Sequence, residues 1–380
     1  MNEPPSLPFG FSLASSSIGL RETRDAVLVT MRDGATASAL FTKNSFPAAP
    51  ILVNREHLSR SETVRALLIN AVFANACTGT AGLASAKRCA EITAESLDCA
   101  VEEVLVFSTG KIGPPLPLEK FERGIPLLAA KPDDDIGGFA RAILTTDTVE
   151  KIACVRCGEA TILGFAKGSG MICPDMATML AFVLTDARIE KEWLDGAWKE
   201  ICDETFNRIS VDSCESTNDA AVVLASQKIP VSETEFRQAL FTATESLAMQ
   251  IARDGEGATM LLTCHVAGAA SKAEATTMAR RIVSSNLVKC AAHGHDPNWG
   301  RVMSAMGSLH ENVDPRTVRV SLNETIVWDR GSAPPIDAKE IFREPDLVIT
   351  VDLGRGVAEA LSWGCDLSHA YVDINAHYKT

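Results

Sequence analysis

Short apolar runs separated by polar turns predict a chain rich in β-strands. The run at 176–184 is apolar, contains several large residues and is short enough to be a strand buried on both faces. Runs of similar character predict further strands at 26–30, 36–41, 65–70, 104–107, 151–155, 161–165, 220–225, 258–266, 319–322, 347–352 and 371–375. The runs at 151–155 and 161–165 are close enough to form a hairpin.

Apolar residues at helical spacing predict helices between these strands. A helix is expected at about 81–95, after a turn in which Thr78 or Thr80 can serve as its N-cap. Residues 114–149 hold two short helical patterns. The strongest pattern lies at 189–206, where the second half of the chain begins.

Two Ser-x-x-Glu sequences predict capping boxes at the starts of two further helices. They begin at Ser232 and Ser271, and the first helix extends to about Arg253. Residues 1–20 are rich in Pro and Ser and predict a loosely held N-terminal segment. Because several predicted strands are adjacent, a pure βαβ repeat is not expected. The pattern favours a layered α/β fold with mixed or antiparallel sheets and helices outside.

Composition narrows the classes of protein that this chain can belong to. The chain has 380 residues, of which 46% are hydrophobic and 22% charged, as is typical of a soluble globular protein with two domains or halves. Its net charge of −13 makes nucleic acid and anionic membranes poor partners. No apolar run reaches the roughly 20 residues needed to span a bilayer, and the N-terminus lacks the pattern of a signal peptide. Eleven scattered cysteines favour reduced thiols in a cytoplasmic enzyme.

The stretch 166–187 is the most unusual in the chain. A loop that begins Lys167-Gly168-Ser169-Gly170 leads into the apolar run, and Thr178 is the only hydroxyl residue within that run up to Leu184. A threonine at the mouth of a core strand is common and needs no function. The alternative is a nucleophile that a loop presents at the start of a rigid strand, and the residues alone leave both interpretations open.

Two other loops carry candidate chemistry. Thr109 and Gly110 follow a predicted strand, where exposed backbone N–H groups can form an oxyanion cradle or simply a turn. Glu256 lies between two glycines ahead of another predicted strand, so it can approach a ligand closely, although a loop glutamate is usually solvated.

Two sequences have metal-like spacing without enough ligands for a metal site. Cys154 and Cys157 form a single Cys-x-x-Cys pair, and Cys290, His293 and His295 lack a fourth ligand. Structural roles are therefore favoured for both. The chain also contains no P-loop, dinucleotide fingerprint or zinc-protease sequence.

Several segments, in order along nearly the whole chain, resemble the ornithine acetyltransferases of arginine biosynthesis. The central one is the loop and strand around Thr178, which resembles the self-cleavage segment of that family. The others are 75–79, 108–110, 145–148, 216–219, 254–259, 296–301 and 375–380.

The resemblance implies that the chain cleaves itself between Ala177 and Thr178. Residues 1–177 would form an α chain and residues 178–380 a β chain, which stay together as an α2β2 assembly with an N-terminal-nucleophile-like architecture. A threonine hydroxyl is a poor nucleophile. An N-terminal threonine carries its own base, however, because its α-amine has an unperturbed pKa of roughly 7.7–8.0.

The implied reaction moves the acetyl group of N-acetylornithine to Thr178 and then to glutamate, with the two chains as the only protein partners. The resemblance places the oxyanion hole at Thr109 and Gly110. It places substrate binding at Thr145, Lys167, Thr178, Glu256, Asn375 and Thr380. A lysine can pair with a substrate carboxylate and a glutamate with an ammonium group. No metal or cofactor is implied, and acetyl-CoA is a candidate second donor.

The sequence departs from the family pattern at three places and leaves two other functions open. Val72-Phe73 replaces a usual Gly-Asn pair near the expected site, Ser213-Cys214-Glu215 replaces a usual short Gly/Asp turn, and Lys379 replaces a small hydroxyl residue. The alternatives are a related self-processing amidase or aminopeptidase, and an uncleaved binding protein. A hydrolase would release acetate without glutamate, and the binding protein would remain a single chain.

Overall fold

Two mixed β-sheets carry the fold, with helices packed against them. The structure is a computed structural model that describes residues 5–173, 179–311 and 313–377. The strands of this part are β1 (Ser12–Ser16), β2 (Ala26–Phe41), β3 (Thr63–Asn70), β4 (Val104–Ser108), β5 (Lys151–Cys157), β6 (Ala160–Lys167), β7 (Leu180–Arg188), β8 (Ile209–Ser210), β9 (Ala220–Pro230), β10 (Leu261–Ala269), β11 (Arg319–Leu322), β12 (Thr325–Asp329), β13 (Leu347–Asp352) and β14 (Ala358–Cys365). The helices are α1 (Ala49–Leu58), α2 (Gly79–Leu97), α3 (Leu118–Ala130), α4 (Ile136–Ala142), α5 (Lys191–Glu204), α6 (Glu233–Arg253), α7 (Lys272–Val283), α8 (Asn286–His293), α9 (Trp299–Gly307), α10 (Ala338–Ile341) and α11 (His369–His377).

The larger sheet has the strand order β4-β3-β2-β9-β7-β6-β5, and β1 pairs with β2. The pairs β3–β4 and β7–β9 are parallel, whereas the other pairs are antiparallel. The smaller sheet has the order β12-β11-β13-β10-β14-β8 and is also mixed. The mixed α/β fold predicted from the sequence is confirmed.

Strand β7 is buried on both faces, as the sequence predicted. Ala181 and Val183 pack into the cluster that contains helices α5 and α6, whereas Leu180, Phe182 and Leu184 pack into the cluster on the other face. Every residue from Leu180 to Ala187 is buried. A one-residue change of register would move every side chain of β7 to the opposite face, where it would not fit the close-packed cluster, so the position of the strand in the sheet is fixed.

The larger sheet curls so that one face encloses a core. Phe107 in β4 and Phe182 in β7 have ring centroids 5.0 Å apart, although β3, β2 and β9 lie between their strands. In a flat sheet, four strand spacings of roughly 4.8 Å would separate them by about 19 Å. The bend occurs at β2, whose register shifts between Thr30 and Ala35.

The same bend explains why the sequence predicts two strands at 26–30 and 36–41 where the structure has one. Arg32 and Asp33 are exposed at the bulge, so the hydrophobic pattern is interrupted while the strand continues. The described part of the N-terminal segment, residues 5–20, is less loose than predicted, because β1 pairs with β2 along its full length. Helix α1 and strands β12 and β14 are additions that the pattern of apolar residues did not predict.

The predicted strand at 176–184 ends later in the structure than predicted. Residues 174–178 lie outside the described residues, and the described strand β7 continues to Arg188. The polar residue Asp186 does not end it, because its carboxylate accepts hydrogen bonds from the backbone N–H groups of Thr161 and Phe9 at 2.7 and 3.0 Å. Hydrogen bonds from distant residues thus satisfy a buried carboxylate that, in the sequence alone, indicates the end of a strand.

The predicted strand at 371–375 is wrong, since these residues belong to helix α11. Its side chains are mostly exposed, so no sheet face selects their alternating pattern. The helix begins after Ser368, whose hydroxyl donates to the Gly257 carbonyl at 2.5 Å and accepts from the Ala370 N–H. This anchor ties the start of the helix to the loop that contains Glu256.

Only one of the predicted N-terminal caps forms as expected. The Ser271 hydroxyl accepts from the Glu274 N–H at the start of α7. Helix α6 begins after Ser232 without a side-chain cap, and the Thr78 hydroxyl donates to Asn75 Oδ1 and does not cap α2. Both helices are instead stabilised by their buried faces, as is usual in proteins.

No helix in the described part of the chain is long and apolar enough to cross a membrane.

Replacing Phe182 by alanine should lower the free energy of unfolding by about 3–5 kcal/mol, because the fully buried ring leaves a cavity at the centre of the curled sheet. Urea unfolding measures the change. Phe46→Ala is the matched control, since that ring is 71% exposed and its loss should change stability by less than about 0.5 kcal/mol. Equal losses in the two variants would contradict the packing described here.

Candidate active site

The ends of four strands border a cavity of about 270 Å³. Six residues predicted from the sequence line it: Thr109, Gly110, Thr145, Lys167, Glu256 and Asn375. Ala177, Thr178 and Thr380 lie outside the described residues. Met179, which follows Thr178 in the chain, also lines the cavity.

Strand direction explains why these loops meet. β6 is antiparallel to β7, so the last residue of β6, Lys167, lies opposite Leu180 at the start of β7. β7 is parallel to β9, so Leu180 also lies beside Ala220, the first residue of β9. The loops that follow β6 and precede β7 and β9 therefore share one edge of the sheet.

Contacts with neighbouring residues fix the turn at Thr109 and Gly110 and leave two hydrogen-bond donors available. The Thr109 N–H donates to Asn70, and the Thr109 hydroxyl oxygen accepts from Lys167 Nζ at 3.1 Å, which leaves its hydrogen able to donate. Among the described residues, the Gly110 N–H has no hydrogen-bond partner. Gly110 has a φ of +128°, and a Cβ there would lie 2.2 Å from the Val72 carbonyl group, so glycine is required.

Asn218 buttresses this turn and was not singled out from the sequence. Its side-chain amide donates to the carbonyl oxygens of Ala74 and Ser108 at 2.6 and 2.8 Å. The Ser108 hydroxyl in turn donates to Asn70 Oδ1. Only the tertiary structure brings these segments together, because 144 residues separate Asn218 from Ala74.

Lys167 presents a buried amine to the cavity. Burial lowers its pKa, because removal from water opposes the charged form, while the charge of Asp147 partly offsets that effect. A carboxylate that entered the cavity would favour the charged amine in the same way. The predicted pairing of Lys167 with a substrate carboxylate is therefore consistent with its surroundings.

Glu256 reaches the cavity through a space that a glycine leaves open. A Cβ on Gly170 would lie 2.3–2.4 Å from the Glu256 carboxylate. The Glu256 N–H donates to the Ser169 carbonyl at 2.8 Å, and Asn375 Nδ2 donates to Glu256 Oε2 at 2.8 Å. Asn375, on helix α11, thus orients the carboxylate that was predicted to bind an ammonium group.

Asp219 is a second carboxylic acid in the cavity and was missed as a site residue. Its side chain is buried, and its Oδ2 atom has no hydrogen-bond partner among the described residues. Burial raises its pKa well above the ordinary range, although hydrogen bonds from Ser216 and the charge of Lys167 act in the opposite direction. The available signal was an aspartate directly before the buried strand β9.

The two sequences with metal-like spacing form no metal centre in the part of the chain described above, where no group of three or more suitable side chains is found. Cys154 and Cys157 are free thiols in β5. His293 lies at the end of α8, with its Nδ1 2.8 Å from Asp366 Oδ2.

Fold and site together define a mixed α/β protein with a cavity where several loops meet, lined by the amine of Lys167 and the carboxyl groups of Asp219 and Glu256. A model of the ArgJ family matches residues 12–380, and the chain belongs to this family. It is accordingly an acyltransferase of arginine biosynthesis, which confirms the resemblance seen in the sequence.

Relatives match over nearly the full chain. The arginine biosynthesis bifunctional protein ArgJ of Caldanaerobacter subterraneus is 42% identical, with 98% of each chain covered. The protein of the same name from Geobacillus kaustophilus is 43% identical, over 98% of this chain and 95% of its own. The crystal structure of ArgJ from Bacillus halodurans shows 40% identity and a TM-score of 0.50, and it covers 52% of this chain and 98% of its own.

Gly110→Ala should reduce the acyl-transfer rate by about a hundredfold, because the added Cβ forces the turn away from Val72 and misplaces the N–H donor. Steady-state kinetics measure the loss. Gly113→Ala is the control, since Gly113 also has a positive φ but a Cβ there meets no atom within 4 Å. Equal rate losses would show that only backbone strain matters.

Asp219→Asn should gain stability relative to the wild type as pH rises. The raised pKa means that folded Asp219 keeps its proton above about pH 4, where the unfolded chain releases it. The folded state then binds more protons, so wild-type stability falls with pH up to the folded pKa, by as much as about 1.4 kcal/mol per unit. An asparagine has no such dependence.

Urea unfolding between pH 5 and 8 tests this difference. Asp147→Asn should behave in the opposite way and be less stable than the wild type throughout, because the pKa of Asp147 is lowered to about 2 in the folded protein. Its stabilising effect is present above about pH 4 and is lost only as the pH falls towards 2. A constant difference between Asp219→Asn and the wild type would contradict the proposed protonation of Asp219.

Proposed function

We propose that the chain cleaves itself between Ala177 and Thr178, and that Thr178 then carries an acetyl group from N-acetylornithine to glutamate. The observation that carries this proposal is the common cavity. Six predicted residues from distant segments line it, together with Met179, which is bonded to Thr178. The family's role in arginine biosynthesis agrees with these substrates.

The chemistry requires a nucleophile, a base and an oxyanion site. The Thr178 hydroxyl attacks the acetyl carbonyl, and the α-amine of Thr178 takes its proton. The Thr109 hydroxyl and the Gly110 N–H donate to the oxyanion, as their free hydrogens allow. Collapse releases the ornithine amine, which takes the proton from the Thr178 α-ammonium group. The glutamate amine then attacks the acetyl ester and loses a proton to the α-amine, and breakage of the ester C–O bond releases N-acetylglutamate while the Thr178 oxygen takes that proton back.

Substrate binding follows from charge. Lys167 pairs with the carboxylate of either amino acid, and Glu256, oriented by Asn375, pairs with the side-chain ammonium of ornithine. Thr145 contributes its hydroxyl at the cavity wall. Thr380 keeps its proposed role as a further substrate contact.

The sheet supports a cleaved protein whose two parts remain together. Strands β2 and β6 belong to residues 1–177, whereas β7 and β9 belong to residues 178–380. The pairs β2–β9 and β6–β7 therefore join the proposed α and β chains through backbone hydrogen bonds.

We propose an α2β2 assembly in the cytoplasm, without a bound cofactor and with acetyl-CoA as a candidate second donor.

Mass spectrometry of the purified protein tests the proposal. Two chains are expected, the second beginning at Thr178, and N-acetylornithine alone should add one acetyl group to Thr178. Glutamate should remove that group as N-acetylglutamate. Thr178→Ala should remain a single chain, whereas Thr185→Ala, which alters another hydroxyl on the same segment, should still be cleaved.

Two outcomes would contradict the proposal. An acetyl group found on a lysine or cysteine would exclude Thr178 as the nucleophile. Release of acetate from N-acetylornithine at the same rate with and without glutamate would identify a hydrolase.

A further inference from the structure

We propose that Lys151 is a positioning residue, whose buried ammonium group ties Asp147 to Asp254 and so holds the three loops that carry Thr145, Lys167 and Glu256. None of the three residues of this triad, Asp147, Lys151 and Asp254, lines the cavity. The inference rests on the proposed function, because it concerns the substrate residues named there.

The side chains of the triad pair with one another and are buried. Lys151 Nζ lies 2.7 Å from Asp147 Oδ1, 2.5 Å from Asp254 Oδ2 and 3.3 Å from the Val149 carbonyl oxygen. These three acceptors match the three hydrogens of an ammonium group. The side chains of Lys151 and Asp147 are fully buried, and that of Asp254 is 5% exposed.

Asp147 extends the triad to two of the loops. Its Oδ1 atom accepts from the Gly168 N–H at 2.6 Å, directly after Lys167, and its Oδ2 atom accepts from the Thr145 N–H at 3.1 Å. One carboxylate thus fixes the backbone beside two predicted substrate residues. Because Asp147 does not line the cavity, it can act on substrate only through those residues.

Asp254 extends the triad to the third loop. It accepts from the N–H and the hydroxyl of Thr148, and it lies two residues before Glu256. The Glu256 N–H returns to the Ser169 carbonyl, while the Thr146 and Ser169 hydroxyls lie 2.8 Å apart. A continuous network of hydrogen bonds therefore connects all three loops.

The charges of the triad depend on one another. Burial alone would oppose ionisation of Asp147, but the charges of Lys167 and Lys151, with hydrogen bonds from Lys151 and Gly168, outweigh it and lower its pKa to about 2. A buried charge that loses its partner is strongly destabilised, so each member has a strict requirement for the others. A directional ion triad also fixes geometry in a way that apolar packing does not.

The triad spans the proposed cleavage site. Asp147 and Lys151 belong to residues 1–177, whereas Asp254 and Glu256 belong to residues 178–380. After cleavage, the Lys151–Asp254 contact joins the two chains next to the substrate residues. A second ion pair between the two parts, Lys228–Asp33, is partly exposed and lies on strand β9 and the bulge of β2, so it offers a control.

The experiment compares Asp254→Asn with Lys228→Met in the complete, cleaved protein. Asp254→Asn keeps the Lys151–Asp147 pair and weakens only the link to the Glu256 loop. The KM for N-acetylornithine and for glutamate should each rise about tenfold, the usual effect of losing a hydrogen bond to a charged group. The kcat should change by less than about threefold, because the reacting groups are untouched. Lys228→Met should leave both constants unchanged.

Three results are decisive. Unchanged KM values in Asp254→Asn, even with a lower melting temperature, would overturn the inference and leave the triad a structural feature. Absence of acetyl transfer in the wild type would instead reject the proposed function.

If Asp254→Asn does not fold, Thr148→Val replaces it, since it removes only the hydroxyl donor to Asp254. A KM rise of about threefold or more is then expected, and unchanged KM values in that variant would equally overturn the inference.

Discussion

Strand β7 has neighbours on every side: β6 and β9 pair with its edges, and two apolar clusters cover its faces. This enclosure fixes the register of the strand and therefore the place where the chain enters the sheet. The loops after β4 and β6, and the loop before β9, must end at the same edge. The cavity lies at that edge and is lined by residues of these loops.

The site also shows that burial alone does not decide the charge of a side chain. Asp147 and Asp219 are both buried near the cavity, yet their pKa values move in opposite directions. Asp147 has two lysines and a backbone donor around it, whereas one oxygen of Asp219 has no partner among the described residues. Partners thus separate Asp147, whose charged form is favoured, from Asp219, whose charged form is disfavoured by burial.

Cleavage at the proposed position would produce two chains that are already joined by contacts between residues 1–177 and residues 178–380. Backbone hydrogen bonds in the sheet join the two parts along strands β2, β6, β7 and β9. The triad of Asp147, Lys151 and Asp254 joins them a second time, at the loops that carry the proposed substrate residues. The two kinds of contact differ in purpose. Strand pairing resists separation of the chains, whereas the triad resists displacement of individual loops by an ångström or so, a scale that matters for substrate binding.

The sequence by itself determined the elements with strong periodicity and the candidate site residues. Strand β7, helix α5 and the loops at Thr109, Lys167 and Glu256 were predicted, because doubly buried strands, amphipathic helices and glycine-containing loops leave local signals. Helix α11 was predicted as a strand, because alternation of apolar residues is meaningful only when a sheet face is present to bury them. Only the tertiary structure decided that Asp219 faces the cavity and that Lys151 joins Asp147 to Asp254. These roles depend on partners far away in the chain, and the hydrogen bonds and charges that create them have no periodicity in sequence.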